Sequence, residues 1–180
     1  MNSKDVKGIS VIAIADGRNM GKVSHIFFDP EARKVVGFGA AESQGFLRPK
    51  TDEDMIDASE IHSLGPDALT LKNADEVAGT ETTTAMDHLI DAEELNKREV
   101  VTEAGTHVGT VASIDFDPKS FDLLAFEVSA GMLKSHRMVS AADIMTIGAD
   151  AIVVRNSVET APAEAGEAGR FVVGDVDPTS

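Results

Sequence analysis

The chain states one pattern twice. Gly21-Lys-Val-Ser-His-Ile-Phe-Phe-Asp-Pro30 returns 88 positions later as Gly109-Thr-Val-Ala-Ser-Ile-Asp-Phe-Asp-Pro118. Further on, Ala58-Ser-Glu-Ile61 and Gly65-Pro-Asp67-Ala68 return 83 positions later as Ala141-Ala-Asp-Ile144 and Gly148-Ala-Asp150-Ala151. The change of offset places about five extra residues between the halves of the first copy. An internal repeat of this length predicts two small modules of one fold and must be read before local propensity. The 180 residues divide into module 1 over 1–74, an acidic linker over 75–92, module 2 over 93–158 and an acidic tail over 159–180. Modules this small bury a modest share of their surface, so packing against each other or a partner is expected.

Within each copy, short β-branched and apolar runs alternate with turn signals, which predicts an all-β module with short helical turns. In the first copy the strands are Ile9–Ile14, Val23–Phe28, Val35–Ala40, Met55–Asp57 and Ala68–Leu71. In the second they are Val100–Val101, Val108–Phe116, Leu123–Val128, Met138–Ser140 and Ala151–Val154. Ser59–Gly65 and Ala142–Gly148 read as helical turns ending at glycine. Gly17, Gly21, Gly105 and Gly109 suit turns that need positive φ or close backbone approach. Asp29 and Asp117 can accept local backbone hydrogen bonds while Pro30 and Pro118 fix the next φ. Alternation points Ile26 and Phe28, and Ile114 and Phe116, into each core. The opposite face carries His25 and Phe27 in the first copy but Ser113 and Asp115 in the second. A solvated face tolerates Ser113 and Asp115, whereas Phe27 needs cover. His25 and Phe27 are therefore expected under the partner module or at an oligomer contact, with a shifted register that buries Phe27 as the alternative.

The Gly-x-Val…Ile-x-Phe-Asp-Pro strand and turn, the apolar strand after it, and the closing Ile-x-x-Leu/Ile-Gly-x-Asp-Ala segment resemble the PRC-barrel family. This is the small β-barrel of the cytoplasmic domain of the photosynthetic reaction-centre H subunit, also found at the C-terminal end of the ribosome-maturation factor RimM. The resemblance covers residues 4–73 and 93–157 and implies two tandem barrels, with a pseudo-two-fold pairing of the copies as a further expectation. It assigns structural roles to Gly21, Asp29, Pro30, Gly65 and Asp67, and to Gly109, Asp117, Pro118, Gly148 and Asp150. It supplies no catalytic residue and implies a docking or assembly module.

Charge is unevenly spread along the chain. Of the net −15, residues 75–104 hold −7 and the tail holds −4, while residues 1–74 and 105–158 hold −2 each. Acidic connectors of this kind keep a protein soluble or attract a basic partner protein through long-range electrostatics. Nucleic acid is disfavoured, because no clustered Lys/Arg footprint is present. Cysteine is absent, which excludes disulfides, thiolate catalysis and Cys-based metal sites. No apolar run approaches a membrane span, and Met1–Val6 lacks the apolar core of a secretory signal. A cytoplasmic location follows as the expectation.

No catalytic, cofactor or metal site is expected. The five histidines show no close i, i+4 pair. Asp52-Glu53-Asp54 with Asp57 lacks the glycine turn and late glutamate of a calcium loop, leaving a solvated loop or a weak cation site. The remaining candidates are surfaces. Phe46-Leu47 and Met132-Leu133 sit beside cations at equivalent places in the repeat, either plugging a barrel end or forming a docking lip. In the tail, Phe171, Val172 and Val173 suggest a short strand over 170–176 that adds to a sheet edge in this chain, a neighbouring copy or another protein, or stays disordered. The sequence thus favours a non-enzymatic protein-binding or assembly module, with a homo-oligomer left open. The alternatives are a small-molecule- or ion-responsive domain and a ribosome-assembly accessory that binds a basic protein.

Overall fold

The computed structural model describes residues 1–41, 54–72, 88–130 and 136–160. Phe46, Leu47, Asp52, Glu53, Met132, Leu133 and the 170–176 segment with Phe171, Val172 and Val173 lie outside the described residues.

The first half of the chain forms β1 (Ser10–Ala13), β2 (Asn19–Asp29), β3 (Lys34–Ala41), β4 (Asp54–Asp57), β5 (Ile61–Leu64) and β6 (Ala68–Leu71). They assemble in the order β4-β3-β2-β1-β6-β5. β7 (Ile90–Asp91) belongs to the connector region and pairs with β2. The second half repeats the plan with β8 (Glu99–Thr102), β9 (His107–Phe116), β10 (Leu123–Ser129), β11 (His136–Ser140), β12 (Ile144–Ile147) and β13 (Ala151–Val154). Their order is β11-β10-β9-β8-β13-β12. Neighbours are antiparallel except β1 with β6 and β8 with β13, which run parallel. Those parallel pairs bring the end of each repeat back to its beginning, so the architecture is two tandem barrel-like sheets.

Local chemistry explains the hairpins. After β2, Asp29 Oδ1 accepts the amides of Glu31 and Ala32 at 2.8 and 2.9 Å. After β9, Asp117 Oδ1 accepts those of Lys119 and Ser120, both at 2.8 Å. These two backbone bonds hold the Asp117 carboxyl below its ordinary value. Each turn then closes through one left-handed residue, Arg33 (φ 54°) or Phe121 (φ 62°). Gly109 (φ 155°) passes so close to β10 that a Cβ would collide with the Ser129 carbonyl and lie 2.8 Å from Val128 Cγ1.

The helical turns expected at Ser59–Gly65 and Ala142–Gly148 are shorter. In these two places the 3₁₀ turns cover Ala58–Glu60 and Ala141–Asp143, capped by the side chains of Asp57 and Ser140. The chain then extends into β5 and β12, because each pairs with the following strand through the Gly-x-Asp turn. Gly65 and Gly148 both donate their amides to the alanine carbonyl three residues on, at 2.9 Å.

The core is shared between the two sheets. Ile26, Phe28, Ile114 and Phe116 point inward and are buried, as alternation predicts. One continuous apolar cluster joins them to Val35, Phe38, Leu69 and Leu71 from the first sheet and Phe126, Val139, Ile152 and Val154 from the second. At the seam, the Phe38 and Phe116 rings have centroids 6.4 Å apart and Phe121 stands edge-on to Phe38 at 5.9 Å.

Candidate functional site

The strand faces that carry His25, Phe27, Ser113 and Asp115 converge where the two halves meet, at two short arms. Arm 1 is Asn2 with helix α1 (Ser3–Val6), and arm 2 is Asp91 with helix α2 (Ala92–Leu95). Each begins with a short polar residue whose side chain accepts the amide two residues on, Lys4 for Asn2 and Glu93 for Asp91. Each buries an apolar residue at its far end, Val6 or Leu95. Helices of one turn are unstable alone, so docking stabilises them.

The arms dock reciprocally. Arm 2 precedes the second sheet but lies on the first, where Ile90 and Asp91 pair with Phe28 and Phe27. Arm 1 precedes the first sheet but lies on the second. Asn2 bridges Asp115, the Phe116 amide donates to the Met1 carbonyl at 3.0 Å, and the Ile114 amide donates to Ser3 Oγ at 3.2 Å. Positions 27 and 115 are equivalent in the repeat, so the two dockings are one interaction used twice about a pseudo-two-fold axis. On that axis the third strands meet: Val35 donates to the Phe121 carbonyl and Leu123 to the Arg33 carbonyl, both at 2.9 Å.

His25 and Phe27 lie half-buried beneath arm 2. Their rings stack with centroids 6.3 Å apart, and His25 Nδ1 pairs with Asp91 Oδ2. On the second sheet the solvated face expected for Ser113 and Asp115 is corrected: Ser113 is fully buried, because arm 1 covers it. Asn2 Nδ2 donates to Ser113 Oγ at 2.9 Å and to Asp115 Oδ2 at 3.5 Å.

One residue unremarked in the sequence organises this second face. Glu127 accepts hydrogen bonds from Lys4 Nζ at 2.8 Å, from Ser113 Oγ and from His136 Nδ1. Partial burial pushes its carboxyl up, but these three bonds and the Lys4 charge outweigh burial and hold it down at about 2. Position 39 corresponds to Glu127 in the first sheet and is glycine, where a Cβ would lie 3.0 Å from His25 Cβ. The acid on the first face comes instead from the arm, as Asp91 and Glu93. Glu93 also pairs with Lys7, and that bond and charge lower its carboxyl. The only sequence signal for Glu127 was its β-strand parity with Ser113, opposite which it lies.

A narrow cleft of about 70 Å³ runs between the arms, lined by Lys4, Lys7, Ile26, Asp91 and Asn96 among others. Asn96 Oδ1 is buried there without a protein donor, and the space suits a few ordered waters. Asp57, part of the acidic stretch considered for a cation, spends Oδ1 on the Ser59 amide at 2.8 Å. Among the described residues no group of three or more His, Asp or Glu is placed to hold a metal ion, and no helix is long and apolar enough to cross a membrane.

Among the described residues, four large apolar side chains stand half-exposed: Ile14, Leu124, Met138 and Met145. Three of them lie on β10, β11 and β12 of the second sheet, and β11 and β12 are its two outer strands.

No curated protein matches this chain. The family model described as the PRC-barrel domain matches residues 87–160, a span that takes in arm 2 and the whole second sheet. The first sheet reproduces the same strand order, parallel closure and Asp-Pro turn. Residues 87–160 are thus identified as a PRC-barrel domain.

Proposed function

We propose that this chain is a non-enzymatic protein-binding or assembly module made of two PRC-barrel units, 1–74 and 93–158, and that its partner-facing surface lies on the second unit. The observation that carries the reading is the exposure of Leu124 (50%), Met138 (50%) and Met145 (46%) on neighbouring or outer strands of one sheet. Exposed apolar side chains on a β surface favour a protein contact, and methionine adapts to varied partner shapes. Among the described residues β11 stands at the end of its sheet, the position from which a strand can be added by a partner. PRC-barrel domains generally serve as binding modules rather than catalysts, which supports the same reading.

The test is affinity capture from native extract with the full chain, compared with Met138→Glu and Leu124→Glu. A protein retained by the parent and lost from both variants, at unchanged thermal stability, supports the reading. Equal retention by all three moves the contact off this sheet. A substrate turned over by material that survives extensive purification overturns the non-enzymatic reading.

A further inference from the structure

The geometry points to a charge code between arms and sheets that makes each unit of this chain pair with the other unit, and not with the like unit of a second copy. The pseudo-symmetry defines the two like-with-like alternatives, because every contact has an equivalent position. Ion pairs that cross between the units include Lys4 with Glu127, Lys7 with Glu93 and Lys34 with Asp122, and a hydrogen bond between His25 and Asp91 crosses with them. In each, one partner belongs to the first unit or its arm and the other to the second.

Exchanging like for like breaks all four. Lys34 and Asp122 face each other across the axis, so a pair of first units sets Lys34 against Lys34, and a pair of second units sets Asp122 against Asp122. Lys4 and Glu93 hold equivalent arm positions. In a pair of first units Lys4 replaces Glu93 and meets the other copy's Lys7. In a pair of second units Glu93 replaces Lys4 and meets Glu127, while Asp91 replaces Asn2 beside Asp115. Phe121 likewise occupies the place of Arg33, so a pair of first units loses that ring from the seam and brings a guanidinium toward it. Each exposed pair contributes little to stability. Like charges set against one another cost more, and a shared apolar seam that would otherwise accept either partner acquires its selectivity from repulsion.

The code can be read by reversing half of it at a time in the full chain. Lys4→Glu with Lys7→Glu sets acid against Glu127 and Glu93. Glu93→Lys with Glu127→Lys sets base against Lys4 and Lys7. Each double variant is expected to melt about 5 °C or more below the parent, and the quadruple variant, which restores opposite charges throughout, is expected to recover most of that loss. The two double variants, unfolded together and refolded, are expected to form a 1:1 heterodimer by sedimentation and native mass, because their units complement each other only between chains. The parent treated alike stays monomeric. Double variants that melt with the parent, a quadruple variant no more stable than the doubles, or a mixture that remains monomeric would each overturn the code.

Discussion

Glu127 shows how a single side chain can bind an arm to a sheet. Its carboxylate collects Lys4, Ser113 and His136 and its pKa falls to about 2, against an ordinary 4.5. A depressed carboxyl contributes stability that is complete above about pH 4.5 and disappears as pH falls through about 2. The contribution is of order 1–3 kcal/mol, reduced by the solvent that still reaches the group. Glu127→Gln is therefore expected to flatten the acid limb of a stability–pH curve measured by urea unfolding, with the loss at neutral pH as its counterpart. A mutant curve that keeps the parent's slope between about pH 4.5 and 2 would assign that limb to other carboxylates. Gly109 belongs to the same scale. Gly109→Ala cannot keep both its backbone and the Ser129 carbonyl in place, and a loss of about 2–4 kcal/mol is expected by the same measurement.

At the scale of elements, the arms and the Asp-Pro turns behave differently. The turns are local: Asp29 and Asp117 satisfy amides two and three residues away, so Asp29→Ala or Asp117→Ala should cost about 1 kcal/mol each, independently and additively. The arms depend on distant partners. Leu95 is fully buried although it sits in a four-residue helix, and Leu95→Ala should cost about 2–5 kcal/mol. Hydrogen exchange would locate the effect: faster exchange is expected in β2, which arm 2 covers, as well as in α2. Exchange confined to α2 would mean that the arm is an ornament on a sheet that stands without it. The turns were legible in the sequence because their chemistry spans a few neighbouring residues. The extended β5 and β12 were not, since the strand pairing that overrides the helical signal at Ile61 and Ile144 comes from β6 and β13.

For the whole molecule, Phe38 joins the sheets through its contacts with Phe116 and Phe121, which neither sheet makes alone. One core should give one unfolding transition. Phe121→Ala, which removes the ring contributed by the turn of the second unit, is expected to cost about 3–5 kcal/mol. Fluorine labels on phenylalanine in both sheets should report the same midpoint for the parent. Two separated midpoints in the parent would show that the seam does not couple the halves.

The repeat, the strand alternation and the turn residues determined the fold class of this chain, its two-fold duplication and its inward-facing Ile26, Phe28, Ile114 and Phe116. Those signals are local or periodic, and every copy of the pattern carries them. Which surface covers His25 and Phe27, why Ser113 is buried, and why acidic Asp91 and Glu93 at the end of a charged connector act as docking groups were decided only by the tertiary structure. The physical reason is that each arm belongs in sequence to one sheet and docks in space against the other as well. The free energy of docking depends on apolar burial and charge pairing between residues about 65 to 125 positions apart, and neither propensity nor periodicity within one copy carries information across that separation.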